Sequence, residues 1–173
     1  MNPLGRTLTG AAVSLLTTIA LVHSGGAADQ SAANGALLRQ YFADINAHDV
    51  ASLKDVIAEN YVQRDTGQGT GLAGMQAAYQ RYFAMFPDFR MTLEDSVITG
   101  DKIVARFQIT ATHDHPVQLG ANAPVFPPTG KQLAWEGISI WRVANGKFVE
   151  HWGVDDLLGA AQQMRSQPPG QGK

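Results

Sequence analysis

The chain has 173 residues, 45% of them hydrophobic, and a net charge of −2, so it has ample material for a core and is not disordered throughout. A slightly acidic balance with no long basic run argues against nucleic acid or an anionic membrane as partner. There is no cysteine, which excludes a disulfide framework, a thiolate nucleophile, an iron–sulfur cluster and a cysteine-ligated zinc.

Arg6 gives a basic flank to an apolar run, residues 11–22 (AAVSLLTTIALV), and small residues follow from Ser24 to Ala28. The run is shorter than the ~20 residues a spanning helix needs. Residues 1–28 therefore read as an export signal cut near Ala28, leaving a periplasmic or secreted protein with no membrane association. Residues 29–35 read as a polar linker and residues 36–166 as one domain.

Leu37, Leu38, Tyr41, Phe42 and Ile45 fall on one helical stripe. His48 lies in the turn after it and reads as solvated, and Asp49 can cap a second helix carrying Val50, Leu53, Val56 and Ile57. Residues 61–65 read as a short extended piece. Gly69 to Gly74 spell a literal G-x-G-x-x-G, but the stretch before them is short and polar, and no second βα unit with an acidic end follows, so a dinucleotide site is rejected. A third helix carries Leu72, Met75, Tyr79, Tyr82, Phe83 and Phe86 and stops at Pro87-Asp88.

From Met91 the period becomes two. Residues 91–98 and 102–113 read as strands joined by a tight turn, and His113 closes the apolar face of the second. His113 and His115 could share one face toward a metal, but a catalytic metal normally needs three protein ligands and no third is near. No metal or other cofactor is expected. Residues 114–130, with four prolines, read as a lid or binding loop. Residues 131–143 return as a strand whose apolar parity shifts near Gly137, as at a β-bulge. Trp135 and Trp141 on it offer a sheet face for a homodimer. Asn145-Gly146 makes a hairpin turn into the last strand, residues 147–154. Residues 157–164 form a closing helix and 167–173 a disordered tail.

On that last strand Phe148, Trp152 and Val154 alternate, and Glu150 and Asp156 share their parity. Two carboxylates are thus expected to face an apolar interior, where desolvation raises a carboxyl toward the range useful for proton transfer. The plainer alternative is that Asp156 caps the closing helix and Glu150 meets a cation. Helices first and antiparallel strands afterwards give an α+β domain. The expected form is a cone, in which a curved mixed or antiparallel sheet wraps the N-terminal helices and encloses an apolar cavity.

Ala47-His48-Asp49, Phe86-Pro87-Asp88, residues 100–106 (GDKIVAR), Thr112-His113, residues 128–131 (PTGK), Asn145-Gly146-Lys147 and Glu150-His151-Trp152 occur in this order between Leu37 and Met164. In this the chain resembles the SnoaL-like polyketide cyclases, ester cyclases within the nuclear-transport-factor-2-like superfamily. The resemblance implies a cofactor-independent enzyme closing a ring by intramolecular aldol condensation. It implies Asp156, four residues after Trp152, as the acid/base, with Asp155 promoted by a one-residue shift. One departure stands out: Arg64 occupies the place of a family histidine, so a permanent cation replaces a titratable ring. The expected roles are Asp156 as general acid/base with His113 or Arg64 steadying a developing enolate. Tyr61, Phe83, Phe107, Trp135, Trp152 and Glu150 complete the expected substrate site. The alternative is a non-catalytic exported binder of a small hydrophobic ligand in the same cavity.

Overall fold

The computed structural model describes residues 21–64, 70–120 and 122–165, with side chains from residue 26 onward. The first part of the proposed export signal, the start of the glycine-rich stretch and the C-terminal tail lie outside the described residues.

Helix α1 (Leu21–Asn46) buries Leu38, Tyr41, Phe42 and Ile45, the stripe expected from spacing. It also runs straight through residues 29–35, the expected linker. The reason is Asn34, which is buried and donates its amide to the Gly100 carbonyl at 3.0 Å. A polar segment is thus helical because it seals the turn between two strands. At the end of α1 His48 takes a positive φ of 55°. It is not solvated as expected: its ring stacks on Phe83 at 3.9 Å and Nε2 lies 3.0 Å from the Phe89 carbonyl. Asp49 accepts the backbone N–H groups of Ala51 and Ser52, but the helix after it, α2 (Leu53–Val56), is a single turn. Ile57 already belongs to β1 (Ile57–Gln63). Helix α3 (Gly71–Met85) buries Leu72, Met75, Ala78 and Tyr79.

The main sheet has the order β1-β7-β6-β3-β2, from β2 (Arg90–Thr99), β3 (Lys102–Thr112), β6 (Gln132–Ala144) and β7 (Lys147–Asp155). All neighbours are antiparallel except β1 and β7, which run parallel, so the sheet is mixed and open. Between β3 and β6 the chain makes a small hairpin, β4 (Val117–Gln118) with β5 (Val125–Phe126), whose Val117 and Phe126 are buried. The expected loop is therefore folded onto the core. Helix α4 (Leu157–Arg165) closes the domain, packing Ala160, Ala161 and Met164 inward.

The bulge expected at Gly137 is not there. Strand β6 alternates without interruption, with Leu133, Trp135, Ser139, Trp141 and Val143 buried. The apparent shift came from Ile138 and Ile140, which are apolar but lie on the outer face. Trp135 and Trp141 are both buried, so neither offers the dimer face expected of them. The bulges lie elsewhere. In β2 the register slips between Leu93 and Asp95, and opposite β7 it slips between Arg142 and Val143. Arg142 pairs with Glu150 and Val143 with Phe148, so Val149 is the extra residue. Each bulge bends its strand and flips the parity of the residues beyond it.

Candidate active site

The bulge at Val149 decides which residues of β7 look inward. Phe148 is buried, and after the extra residue the inward positions become His151, Gly153 and Asp155. Trp152 and Val154 point out, Val154 being 74% exposed. Glu150 and Asp156 also leave the cavity, which overturns the expectation of two inward carboxylates there. Asp156 does what the plainer reading held: its Oδ1 accepts the Gly159 N–H at 2.8 Å and caps α4. Glu150 meets not one cation but two. Arg64 Nη2 lies 2.6 Å from one of its oxygens and Arg142 Nε 2.9 Å from the other. These bonds hold the Glu150 carboxyl below its ordinary range, Arg142 contributing most.

The cavity between α1, α3 and the concave sheet encloses about 70 Å³ and opens to solvent on one side. Tyr61, Phe107 and Trp135 line it, as expected of them. Three of its polar groups, His151, Ser139 and Asp155, come from successive inward rungs of the β6–β7 ladder, Trp141 with His151, Ser139 with Gly153, and Gly137 with Asp155. Two of the six positions are glycine, and the space each leaves is filled from a neighbour. A Cβ at Gly153 would lie 2.6 Å from the His151 ring and 2.9 Å from Ser139 Oγ. A Cβ at Gly137 would lie 2.3 Å from Asp155 Oδ1 and 2.5 Å from the Phe107 ring. The carboxylate of Asp155 thus rests over Gly137 against an aromatic edge, at the rim, since Asp155 itself is exposed.

Deeper in, His151 Nε2 and Ser139 Oγ are 2.8 Å apart, both residues buried, and the His151 ring packs against Tyr61 and Trp141. On the helical wall the hydroxyls of Tyr41 and Tyr79 meet at 2.5 Å. Burial pushes the Tyr79 phenol well above its ordinary range, with the Tyr41 contact and the Asp155 charge adding to it, so Tyr79 holds its proton; either hydroxyl can be the donor of the pair. Among the described residues, two buried polar atoms on the lining have no protein partner: the Nε1–H of Trp135 and the Oε1 of Gln63.

The other expected site residues stand outside. His113 is 0% exposed, but under the β4–β5 hairpin: its Nδ1 is 3.0 Å from Thr129 Oγ1, and its backbone bonds to Thr129, Gly130 and Lys131. Burial lowers the imidazole below its ordinary value of 6.5. It pins the loop and is not among the residues that line the cavity. Phe83 lies one layer behind the cavity, against His48, Tyr79 and Phe89. Arg64 and Trp152 are on the outer side with Glu150, where Lys102 Nζ sits 5.0 Å from the Trp152 ring centre. His115 is exposed, and among the described residues no three His, Asp or Glu side chains gather as a metal site would need.

His151, Ser139, Tyr41, Tyr79 and Gln63 are the groups that sequence reasoning missed. The available signal was the unbroken parity of β6, which puts Ser139 between Trp135 and Trp141 on the inner face. Carried across the hairpin with one extra residue, that parity turns His151 and Asp155 inward.

Known proteins were compared with this chain. The sequence model of the SnoaL-like polyketide cyclases matches residues 36–164. Among solved structures, TsrD from Streptomyces laurentii is 30% identical, covering 78% of this chain and 96% of its own, with a TM-score of 0.68. IdmH from Streptomyces antibioticus is 26% identical over 76% of this chain and 98% of its own, with a TM-score of 0.64. A SnoaL-like polyketide cyclase from Agrobacterium tumefaciens, 19% identical, covers 74% of this chain and 94% of its own at a TM-score of 0.62, a likeness of fold alone. No curated protein matches the chain.

Proposed function

The chain belongs to the SnoaL-like polyketide cyclases, and from that premise we propose that it performs cofactor-independent acid/base chemistry on a small apolar carbonyl or ester compound. Asp155 is the base. The observation that carries this is its carboxylate lying over Gly137 beside Phe107, inside the cavity lining, while the neighbouring Asp156 is spent on α4. A base must first lie within reach of the proton it takes, and of the two aspartates only Asp155 does. The His151–Ser139 pair, two rungs deeper, orients the substrate's polar end and can hand a proton back during ring closure or isomerisation. The aromatic walls bind the rest of the substrate by burying its apolar surface.

The same walls would hold a hydrophobic ligand without reacting, which is the second reading; the aromatic lining from Tyr41, Phe89 and Trp141 favours it as much as catalysis. Turnover of a panel of β-keto carbonyl compounds and activated esters, with binding calorimetry on the same panel, separates the two. Turnover that falls in Asp155→Asn supports the enzyme, and tight binding with no turnover supports the binder.

We also propose export, from the basic flank and apolar run at the N-terminus, and a homodimer. The outer sheet face supports the dimer: Val97, Val104, Ile140 and Trp152 pair in a row across four strands, and Ile138 pairs with Val154 beside it. Large exposed apolar groups in one patch favour association.

A further inference from the structure

Trp135 is 5% exposed, lines the cavity, and its indole N–H has no acceptor among the described residues. An indole nitrogen only donates, so it has no second role to fall back on. Leaving a buried donor unsatisfied costs about 1–3 kcal/mol. An N–H kept in that state, on a residue that lines the cavity, suits a ligand that brings an acceptor.

Its position gives the acceptor a chemical identity. Along the inner face of β6 the order is Ser139, Gly137, Trp135, and Gly137 is the rung that carries Asp155. Residues two apart on a strand are roughly 6.5–7 Å apart on the same face. Trp135 is therefore one position from the rung where the base sits, on the side away from His151. A carbonyl oxygen bonded to Trp135 would lie one inward position from Asp155, with the Phe107 ring that covers Gly137 as the surface between them.

We infer that the Trp135 N–H binds the substrate's carbonyl oxygen and stabilises it as an enolate when Asp155 removes the neighbouring proton. The inference rests on the acid/base reading above. The step balances within the site. The α C–H bond breaks and its proton passes to the Asp155 carboxylate; the freed pair forms the carbon–carbon double bond; the carbonyl π pair moves to oxygen, where the Trp135 hydrogen bond strengthens. Reprotonation at carbon returns the carboxylate. Nothing else is consumed. The substrate class this defines is a flat apolar ketone or ester whose enolisable carbon is next to a carbonyl oxygen free to accept.

The test uses the full-length chain labelled with nitrogen-15 in its indoles. There are three tryptophans, Trp135, Trp141 and Trp152, assigned by Trp→Phe variants. The probes are 2-acetylnaphthalene, which has the carbonyl, and 2-isopropylnaphthalene, which lacks it. The expected result is a downfield shift of the Trp135 N–H with the ketone alone, and a loss of the preference for ketone over hydrocarbon in Trp135→Phe. Exchange of the methyl ketone's α-protons in D2O should also slow about 10²-fold in Trp135→Phe, the usual effect of losing one oxyanion donor. The shift itself is read in the parent protein. Binding of both probes with an unmoved Trp135 resonance, or of neither, overturns the inference. Asp155→Asn separates it from the reading beneath: a ketone-specific shift with no exchange in the parent keeps Trp135 as carbonyl anchor and sinks the acid/base role. Exchange that depends on Asp155 but not on Trp135 does the reverse.

Discussion

Asp155 and Gly137 face each other across β7 and β6, and a Cβ on Gly137 would stand 2.3 Å from the carboxylate oxygen. Gly137→Ala should therefore displace Asp155 and the Phe107 ring together. Overpacking of this kind costs about 1–3 kcal/mol, and it should cost more in activity than in stability, because the displaced group is the proposed base. Thermal melts beside turnover assays check this; an Ala variant with parent turnover would mean that the position of Asp155 does not matter.

The two adjacent aspartates should separate cleanly. Asp156→Ala removes the cap on Gly159 and should cost about 1 kcal/mol of stability, whereas Asp156→Asn should be nearly neutral, since asparagine caps as well. Neither should alter binding of a ligand in the cavity. Chemical denaturation of both variants, with calorimetry, measures it.

How much of this was legible in the sequence turns on single inserted residues. Helical stripes such as Leu38-Tyr41-Phe42-Ile45 and the strict alternation of β3 were readable, because a buried face imposes its period on the sequence. The bulge at Val149 was not. It leaves no turn residue or proline behind, and Trp152 and Val154 look like inward residues when they are in fact part of an apolar outer face. Parity carried across one unseen residue turned Asp156 and Glu150 inward in place of Asp155 and His151. His113 misled differently: it does end an apolar face, but the hairpin between β3 and β6 folds over it, and that contact is set by Val117 and Phe126, distant from any local pattern.

His113 gives a pH dependence of definite sign. Burial lowers its pKa in the folded state, with Asp114 opposing that shift and Lys131 adding to it. The unfolded chain thus binds the proton more readily, and its contribution to stability is complete above about pH 6.5 and is lost as pH falls from there to the folded value. Melting temperature should drop between pH 7.5 and 5.5, and His113→Gln should flatten part of that slope. An unchanged slope in the variant would assign the dependence elsewhere.

Arg64 bonds Glu150 on the outer side. Arg64→Ala should leave turnover and ligand binding at parent levels and lower stability little, as exposed ion pairs contribute little. A large loss of turnover would return Arg64 to the site.

The outer face should behave as an interface. Ile140→Lys, in the middle of the row that includes Val104 and Trp152, should convert a dimer to monomer in light scattering while leaving the inner face intact. A parent protein that is monomeric at high concentration would rule out the dimer.

The most direct test of Asp155 as the base is α-proton exchange of a bound ketone in D2O, followed by NMR in the parent, Asp155→Asn and Asp156→Asn. Loss of a general base typically lowers rate ~10²–10⁴-fold. That loss is expected in Asp155→Asn alone, with Asp156→Asn at the parent rate. Exchange that survives Asp155→Asn, or is lost in Asp156→Asn, would contradict the assignment.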